Sequence, residues 1–501
     1  MIVEKPSVAR KMASILAEGE IKKIKKNNAN YYIIERDKKK IVIAPAVGHL
    51  FALVSKERRW DYPVCDIEWK SIFDVDKKAR WAKGYFKNIE ILARSANEFI
   101  SACDYDIEGS VIAYNILRFI CKVKSAKRMK FSTLTKDEII NAYTNAMPRL
   151  DWEQINAGIT RHKLDWYFGI NLSRALTLAL RTAGRSKVLS TGRVQGPTLK
   201  LIYEREKEIE NFVPEKYWQI WLEGFINNTK IVAKHVAGNI FDNKLVRDIL
   251  VYCEGKNAIV SKIEIKNSKI NAHPPFDLTT LQKEAYENFG YSPKHTLDIA
   301  QKLYEASLIS YPRTSSQKLK NINYRAIIEK LSKFEKYRAF CEKLIQRSIR
   351  PREGKKDDPA HPAIFPTGIR PKDLSNEESS IYDMIVRRFL ACFYGPLLIR
   401  EKRLELVIGK QKFTATGNEI VDKGWLEVYI YHRFSESKLP EVKPGDEVKN
   451  TKVYEKELKT KPKARYTQAS LLAEMERLGL GTKAVSYTHL RAHETRHDIV
   501  C

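Results

Sequence analysis

The chain has 501 residues, 43% of them hydrophobic, so it is long enough to bury several cores in about three to four domains. Lysine and arginine number 89 against 61 acidic residues, a formal net charge of +28, which favours a polyanionic partner such as nucleic acid. The sequence contains no run of apolar residues long enough for a transmembrane helix and no signal-peptide pattern. Its seven scattered cysteines include no CxxC pair, so we expect reduced thiols in a cytoplasmic protein.

Strand and helix patterns alternate through residues 1–147, which predicts an α/β sheet domain. The short strand "IV" precedes the helical segment "SVARKMASILA", and "YYIIER" and "KKIVIAPA" predict strands on either side of a charged turn. Further on, "FISAC" predicts a buried strand and "IEGSVIAYNILRFI" the helix that follows it.

Helical and β-rich segments then alternate along the rest of the chain. The periodicity predicts a helical segment at 148–212, a β-rich one at 213–275, a helical one at 276–402, a β-rich one at 403–442 and a helical one at 443–484. Such an order arises when a chain leaves one domain and later returns to complete it. Small domains in series would give the same pattern, and periodicity alone does not decide between them.

A group of carboxylates follows the predicted strand "FISAC". In "ACDYDIEGS", Asp104 and Asp106 are two residues apart and Glu108 opens the next helix, so both aspartates reach the carboxyl edge of the sheet if the strand continues. Glu4 follows another short strand in "IVEKPS", and parallel strands would bring it to the same edge. Clustered carboxylate oxygens suit Mg²⁺. The alternative interpretation, the more common one for an isolated DxDxE, is a solvated acidic turn.

The stretch "LISYPRTSS" presents Tyr311 directly before a proline and an arginine. Pro312 ends the helix "TLDIAQKLYEASL" and favours an extended Tyr311, so the ring is held at a rigid turn. Arg313 can pair with a phosphate that a tyrosine hydroxyl attacks. A structural tyrosine beside a surface arginine is the alternative, and this motif alone leaves it open.

The carboxylate motifs resemble those of the Toprim domain found in topoisomerases, bacterial primases and some nucleases. Further motifs resemble the type IA DNA topoisomerases, particularly the archaeal ones, in that family's order over about residues 2–484. They are "PAVGHL", "RHKLDW", "LSTGRVQGPTL", "HPPFDLTTLQKEAY", "GYSPKHTLDIAQKLYEASLISYPRTSSQKL", "AHPAIFPTG", "FTATGNEIVDKGW" and "RYTQASLLAEMERLGLGTK".

This resemblance implies a multidomain α/β plus α fold arranged as a ring. Its parts would be a Toprim domain at 1–147, a helical DNA-groove domain at 148–212 and 443–484, a β-rich arch at 213–275 and 403–442, and a helical domain at 276–402 that carries the tyrosine. Carried over by position, Tyr311 is the nucleophile that takes the 5′ phosphate and Arg313 steadies it. Glu4 handles the proton on the leaving 3′ oxygen, and Lys5 contacts the scissile phosphate. The Mg²⁺ ligands are Asp104 and Asp106, with Glu4 close to the ion and Glu108 supporting.

The resemblance also implies residues that line a groove for single-stranded or underwound DNA. They are His49, Arg161, Asp165, Ser190, Thr191, Gly192, Arg193, Val194, Gln195 and His361. Gln195 lies at a predicted helix start, where free backbone N–H groups attract phosphate. We expect a chromosome-associated monomer that uses no nucleotide, since no GxxxxGK[ST] loop occurs and a phosphotyrosine stores the energy needed for resealing.

Two other functions stay open from the residues themselves. A different Toprim catalyst, a primase or a nuclease, would need no phosphotyrosine intermediate. A non-catalytic, basic DNA-binding protein would show salt-sensitive binding without any dependence on the aspartates.

Two features depart from the family pattern. Ser315 stands where the family often has aspartate, so an acidic helper is not expected at that position. The ending "SYTHLRAHETRHDIVC" contains HETRH, a match to the HExxH zinc-protease signature, but it interrupts a family motif. Residues 485–501 resemble adapter read-through and are predicted to be non-native. We expect that a few N-terminal residues and any C-terminal zinc-binding domain are missing from this sequence.

Overall fold

A six-stranded sheet organises the first domain of the protein. The computed structural model describes residues 1–57 and 60–481, so the predicted non-native tail at 485–501 lies outside the described residues. None of the described helices combines the length and apolarity that crossing a membrane requires. The elements of the first domain are β1 (Ile2–Val3), α1 (Pro6–Leu16), β2 (Lys22–Lys26), β3 (Ala29–Arg36), β4 (Lys39–Pro45), β5 (Phe51–Ser55), β6 (Ile67–Ser71), α2 (Ile72–Val75), α3 (Ala82–Ala93), β7 (Ile100–Ser101), α4 (Ile107–Asn115), β8 (Lys127–Arg128) and α5 (Lys136–Thr144).

The strand order β2-β3-β4-β1-β7-β8 places the two short carboxylate-bearing strands next to each other. Strand β1 pairs in parallel with both β4 and β7, and β7 pairs in parallel with β8. Because parallel strands end at the same edge of a sheet, the residues that follow β1 and β7 lie together there.

The start of α4 fixes the position of the second aspartate. Asp106 is the N-cap residue of α4, and its Oδ1 accepts a hydrogen bond of 2.8 Å from the backbone N–H of Gly109. A Cβ on Gly109 would lie 2.3 Å from the carbonyl oxygen of Asp104, so only glycine lets the helix approach the strand end this closely.

Two long helices follow the sheet domain. They are α6 (Trp152–Thr182) and α7 (Gln195–Glu210), and Asp151 caps the first by accepting a hydrogen bond from the backbone N–H of Gln154. The loop between them, 183–194, carries half of the residues predicted to line the DNA groove, from Ser190 to Val194.

A closed barrel is built from two separate stretches of the chain. The first stretch contains β9 (Lys216–Ile226), β10 (Thr229–His235), α8 (Asn243–Cys253) and β11 (Ala258–Ile270). The chain then forms five helices, α9 (Leu278–Phe289), α10 (Pro293–Glu305), α11 (Tyr324–Leu331), α12 (Glu335–Ile345) and α13 (Asn376–Ala391). It returns with β12 (Leu397–Ile408), β13 (Gln411–Asp422) and β14 (Glu447–Lys459), closing the order β10-β13-β12-β11-β14-β9, and ends with α14 (Gln468–Arg477).

The barrel therefore has the nested arrangement, and its second stretch is longer than the β-rich range 403–442 drawn from the sequence. Strand β12 begins at Leu397, and β14 pairs with β9 from Lys449 to Lys459. The sequence pattern missed β14 because "EVKNTKVYEKELK" carries charged residues on both faces, so the alternation that marks a half-buried strand is weak.

One hydrophobic core joins the sheet domain to the tyrosine-bearing helical domain. It runs without interruption from Val8 and Met12 on α1 to Leu303 on α10 and Tyr311 in the loop that follows. A separate core fills the barrel, and a small one joins α7 to α14. The two domains thus meet along a packed apolar surface, which holds the sheet edge against the tyrosine.

Candidate active site

Tyr311 lies directly against the carboxyl edge of the sheet. Its ring is buried, with 2% of its surface exposed, and its hydroxyl donates a hydrogen bond of 2.6 Å to Oδ2 of Asp106, 205 residues away in sequence. Its backbone N–H donates to the carbonyl of Ser132 at 2.7 Å. Burial first, and the charges of Asp106 and Asp104 second, raise the pKa of Tyr311 well above its usual value of 10. The hydroxyl therefore keeps its proton and points it at a carboxylate.

His361 packs on the ring of the tyrosine, at 4.6 Å between ring centres. It is buried, and its Nε2–H donates to the carbonyl of Tyr105 at 3.0 Å while Nδ1 lies 2.9 Å from Oγ of Ser132. Burial lowers the pKa of His361 to about 4, so the ring is neutral near pH 7. The structure thus places this predicted groove residue in the wall around Tyr311.

Glu4, Asp104 and Lys5 share the sheet edge beside Asp106. The Nζ of Lys5 lies 3.9 Å from Oε1 of Glu4, 4.0 Å from Oδ2 of Asp104 and 3.5 Å from Oε1 of Glu305. Burial and the charge of Asp104 raise the pKa of Glu4 to about 8, and burial raises that of Asp104 to about 6. Burial alone would lower the pKa of Lys5, but Asp104 and Glu4 raise it, so the ammonium stays charged.

Glu108 faces a different set of partners. One oxygen lies 2.8 Å from the guanidinium of Arg161, and the other lies 2.9 Å from Nε2 of His49 and 3.1 Å from Nε2 of His162. Burial alone would raise its pKa, but the hydrogen bonds from His162 and His49 lower the pKa of Glu108 below its usual range. The three ligand atoms of His49, Glu108 and His162 lie within 4.8 Å of one another, a donor set that suits transition metals better than Mg²⁺.

A line of alternating charges continues from Arg161 along α6. Arg161 also lies 3.4 Å from Asp165, whose other oxygen accepts from Nε of Arg193 at 2.8 Å. Arg193 belongs to the 190–195 segment, which leads into α7 at Gln195. In that segment Val194 is buried, whereas Ser190 is exposed and Thr191, Gly192 and Gln195 are half-buried.

A cavity of about 500 Å³ connects these groups. Its walls include Asp106, Arg161, Arg313 and His361, and the end of α14 closes one side through Glu476. The cavity thus lies between the tyrosine, the sheet edge and the start of the predicted groove.

Ser315 has an acidic neighbour in space. Oδ2 of Asp358 lies 3.3 Å from the backbone nitrogen of Ser315 and 3.5 Å from its hydroxyl, and the carboxylate is almost fully buried at 8% exposure. Sequence reasoning missed Asp358, and it also missed His162 and Glu305. Their signals were weak: Asp358 falls just before the quoted motif "AHPAIFPTG", His162 sits within "RHKLDW", and Glu305 within "QKLYEASL".

Two family models match the chain in the order of its domains. A model described as Toprim domain matches residues 1–134, and a model described as DNA topoisomerase matches residues 149–497. Taken with the sheet edge that faces a buried tyrosine, these matches define the class of the protein, and the chain belongs to the type IA DNA topoisomerases, a family of enzymes. The family predicted from the motifs is confirmed.

Individual relatives agree with this assignment. The chain is 48% identical over 492 residues to DNA topoisomerase 1 of Pyrococcus horikoshii, covering 97% of this chain and 72% of that protein. It is 44% identical over 489 residues to DNA topoisomerase 1 of Methanocaldococcus jannaschii, covering 97% of this chain and 63% of the relative. A solved structure of full-length topoisomerase I from Thermotoga maritima superposes with a TM-score of 0.74 at 27% identity, over 98% of this chain and 77% of that one. The predicted fold class is confirmed, and the chain spans about two thirds of the archaeal relatives' length.

Proposed function

We propose that this chain breaks and rejoins one DNA strand through a phosphotyrosine on Tyr311, without ATP. The hydrogen bond from the Tyr311 hydroxyl to Asp106 is the observation that carries the proposal. This bond places the nucleophilic hydroxyl beside a carboxylate that can take its proton. The same cavity wall also contains the fixed cation of Arg313.

Residues of the site account for both proton transfers in the cleavage step. The phenol oxygen forms a bond to the scissile phosphorus as the bond from phosphorus to the 3′ oxygen breaks. The phenol proton passes to Oδ2 of Asp106, and the leaving 3′ oxygen takes a proton from Glu4, whose raised pKa keeps it protonated near neutrality. Resealing is the reverse, so the broken bond's energy is kept in the phosphotyrosine.

The carboxylates of Asp104 and Asp106, with Glu4 beside them, fit a Mg²⁺ ion. They are hard oxygen donors at one sheet edge, where burial, the largest cause, raises the pKa values of Glu4 and Asp104 by disfavouring their charged forms, an effect that a bound cation would oppose. When bound, Mg²⁺ would neutralise charge beside the scissile phosphate. Glu108 supports this site by holding the guanidinium of Arg161 at 2.8 Å.

The substrate that fits is single-stranded or underwound DNA. The alternating charges from Glu108 to Arg193 lead away from Tyr311 toward the N-terminus of α7, where free backbone N–H groups attract phosphate. We propose that the protein acts as a chromosome-associated monomer in the cytoplasm, and that strand passage relaxes negatively supercoiled DNA or decatenates it.

The test is a denatured cleavage reaction with single-stranded oligonucleotides labelled at one end or the other. With a 5′-phosphotyrosine, the 3′-labelled strand stays attached to the protein, and the 5′-labelled strand is released with a free 3′ hydroxyl. Tyr311→Phe should abolish the adduct, because phenylalanine offers no oxygen to the phosphorus. Tyr304→Phe is the matched control, since that ring lies 5.3 Å from Tyr311 between ring centres.

The same gel separates the rival functions. A nuclease or primase would leave no label on the protein, and Tyr311→Phe would still nick or prime at the wild-type rate. A purely binding protein would show neither product. Either result would end the proposal.

A further inference from the structure

A basic and aromatic surface covers one side of the barrel, far along the chain from Tyr311. It is formed by the outward side chains of β10, β9 and β14, and we call it the barrel face. Its members are Trp221, Phe225, Lys234, Lys452, Tyr454 and Lys456.

The strand register places these side chains together. Trp221 on β9 pairs with Lys234 on β10 and with Tyr454 on β14, so all three point to the same side. The neighbours of Trp221 in sequence, Ile220 and Leu222, are fully buried in the barrel core, which shows that Trp221 faces outward.

The aromatic rings and the lysines are interleaved. The Nζ of Lys456 lies 4.8 Å from the ring centre of Trp221 and 5.6 Å from that of Tyr454, and Lys234 lies 5.9 Å from Trp221. Phe225 is 43% exposed. Among the residues that the structure describes, the buried Nε1–H of Trp221 has no hydrogen-bond acceptor, so no hydrogen bond from this group anchors the indole to the barrel.

The charge of the barrel face is not balanced by its own carboxylates. The one acidic residue in its centre, Glu223, lies 2.9 Å from Lys230 and accepts from the Tyr454 hydroxyl at 2.8 Å. Within residues 1–57 and 60–481, Lys234, Lys452 and Lys456 form no ion pair with a carboxylate. Three ammonium groups beside flat rings complement an anionic ligand that also has flat, apolar faces.

We propose that the barrel face binds a second single strand of DNA, separate from the strand at Tyr311. Lysines would contact the phosphates, and the rings would stack with bases, which a duplex does not expose. This inference rests on the proposed function only in taking DNA as the ligand. The barrel would then bind one strand while another strand is cut at Tyr311.

Binding stoichiometry in the Tyr311→Phe chain tests the proposal without any cleavage. A short oligo-dT strand carrying one 5-bromodeoxyuridine is titrated at low salt and then photo-crosslinked. We expect two strands per chain, with crosslinked peptides from β9 or β14 as well as from the groove. One strand per chain, or crosslinks that exclude β9, β10 and β14, would overturn the proposal.

Variants then identify the residues. Trp221→Ala should weaken the second site roughly 10-fold or more, the effect of one lost stacked base. Lys234→Gln with Lys456→Gln removes one half-buried and one exposed charge without opening the core, so it tests the face even if Trp221→Ala disturbs folding. The control, Lys266→Gln with Lys269→Gln, removes the same charge from two exposed positions of β11, outside the barrel face.

The controls distinguish this inference from the proposed function. Adduct formation by otherwise wild-type chains carrying the barrel-face changes should stay unchanged on a short oligonucleotide. Absence of any adduct in the wild-type chain would instead count against the Tyr311 mechanism. If poly-glutamate bound the barrel face and oligo-dT did not, an acidic protein would be its partner and the DNA proposal would be wrong.

Discussion

Ser315 shows at the level of single residues that a carboxylate can reach a position in the site from a distant part of the chain. Asp358 approaches Ser315 to 3.3 Å, although 43 residues separate them. A serine at 315 leaves this site with one buried carboxylate, where an aspartate would create two.

The first prediction concerns Ser315 and Asp358. Ser315→Asp should lower DNA cleavage about tenfold, because two carboxylates in one buried site repel each other by roughly 1.4 kcal/mol or more. Adding Asp358→Asn should restore most of the rate. Adduct yield in the single and double variants measures the coupling. Equal loss in both would show that the two side chains act independently.

The second prediction concerns the sheet edge. Without Mg²⁺ we expect cleavage to persist weakly while resealing fails, since the 3′ oxygen must approach a charged phosphotyrosine. Asp104→Asn should slow resealing at least about a hundredfold, whereas the exposed Asp137→Asn should not. Rejoining is followed after chelation and Mg²⁺ readdition. Resealing that ignores the chelator would remove Asp104 and Asp106 from the metal site.

At the scale of elements, Asp383 ties α13 to its neighbours in the tyrosine-bearing domain. Its carboxylate accepts from Nε of Arg387 at 2.9 Å, from Tyr337 on α12 at 2.8 Å and from Tyr431 at 2.7 Å, and Lys336 lies 2.9 Å away. Burial alone would raise its pKa, but the hydrogen bonds from Tyr431 and Lys336 and the charge of Arg387 lower the pKa of Asp383.

The third prediction follows from that lowered pKa. Asp383→Asn should reduce the free energy of unfolding by about 3 kcal/mol at pH 7, because it leaves the buried Arg387 without its counter-charge. A carboxylate with a lowered folded pKa stabilises above its unfolded pKa of about 3.9 and loses that contribution as pH falls. The difference in the free energy of unfolding between wild type and variant should therefore become smaller below about pH 4. Thermal melts measure it, with the exposed Asp298→Asn on α10 as the control.

At the scale of the whole molecule, the sheet domain and the tyrosine domain are held closed. Besides the shared core, Ser7 donates to Glu305 at 2.8 Å, and Ser307 donates to the carbonyl of Leu134 at 2.7 Å. Tyr311 is buried in this state. Under the proposed function, passing a strand between the broken ends requires these surfaces to separate.

The fourth prediction tests that separation. Ser7→Cys with Glu305→Cys, in a background with Cys65→Ser, Cys121→Ser and Cys501→Ser, should form a disulfide across the contact. The oxidised chain should relax supercoiled DNA at least about tenfold more slowly, and a reducing agent should restore the rate. Single-cysteine variants are the control. Unimpaired relaxation by the fully oxidised protein would show that this contact does not open.

Much of the local architecture could be predicted because it depends on neighbouring residues. The α/β order of the first domain and the strand ends at Glu4 and Asp104 follow from periodicity. The helix predicted to run to Leu308 before Pro312 instead ends at Glu305, and Ser307 adopts a left-handed backbone conformation before the loop of Tyr311. The type IA family also followed from motifs of this kind, read in order.

Contacts between distant segments of the chain depend on the tertiary structure. The pairing of Tyr311 with Asp106, the carboxylate of Asp358 beside Ser315, and the two histidines on Glu108 join residues that no local pattern relates. Strand β14 completes the barrel despite charges on both faces, because its partners β9 and β11 supply the apolar side. Periodicity records which face of a segment is buried, whereas the identity of its neighbour is set by packing over the whole chain.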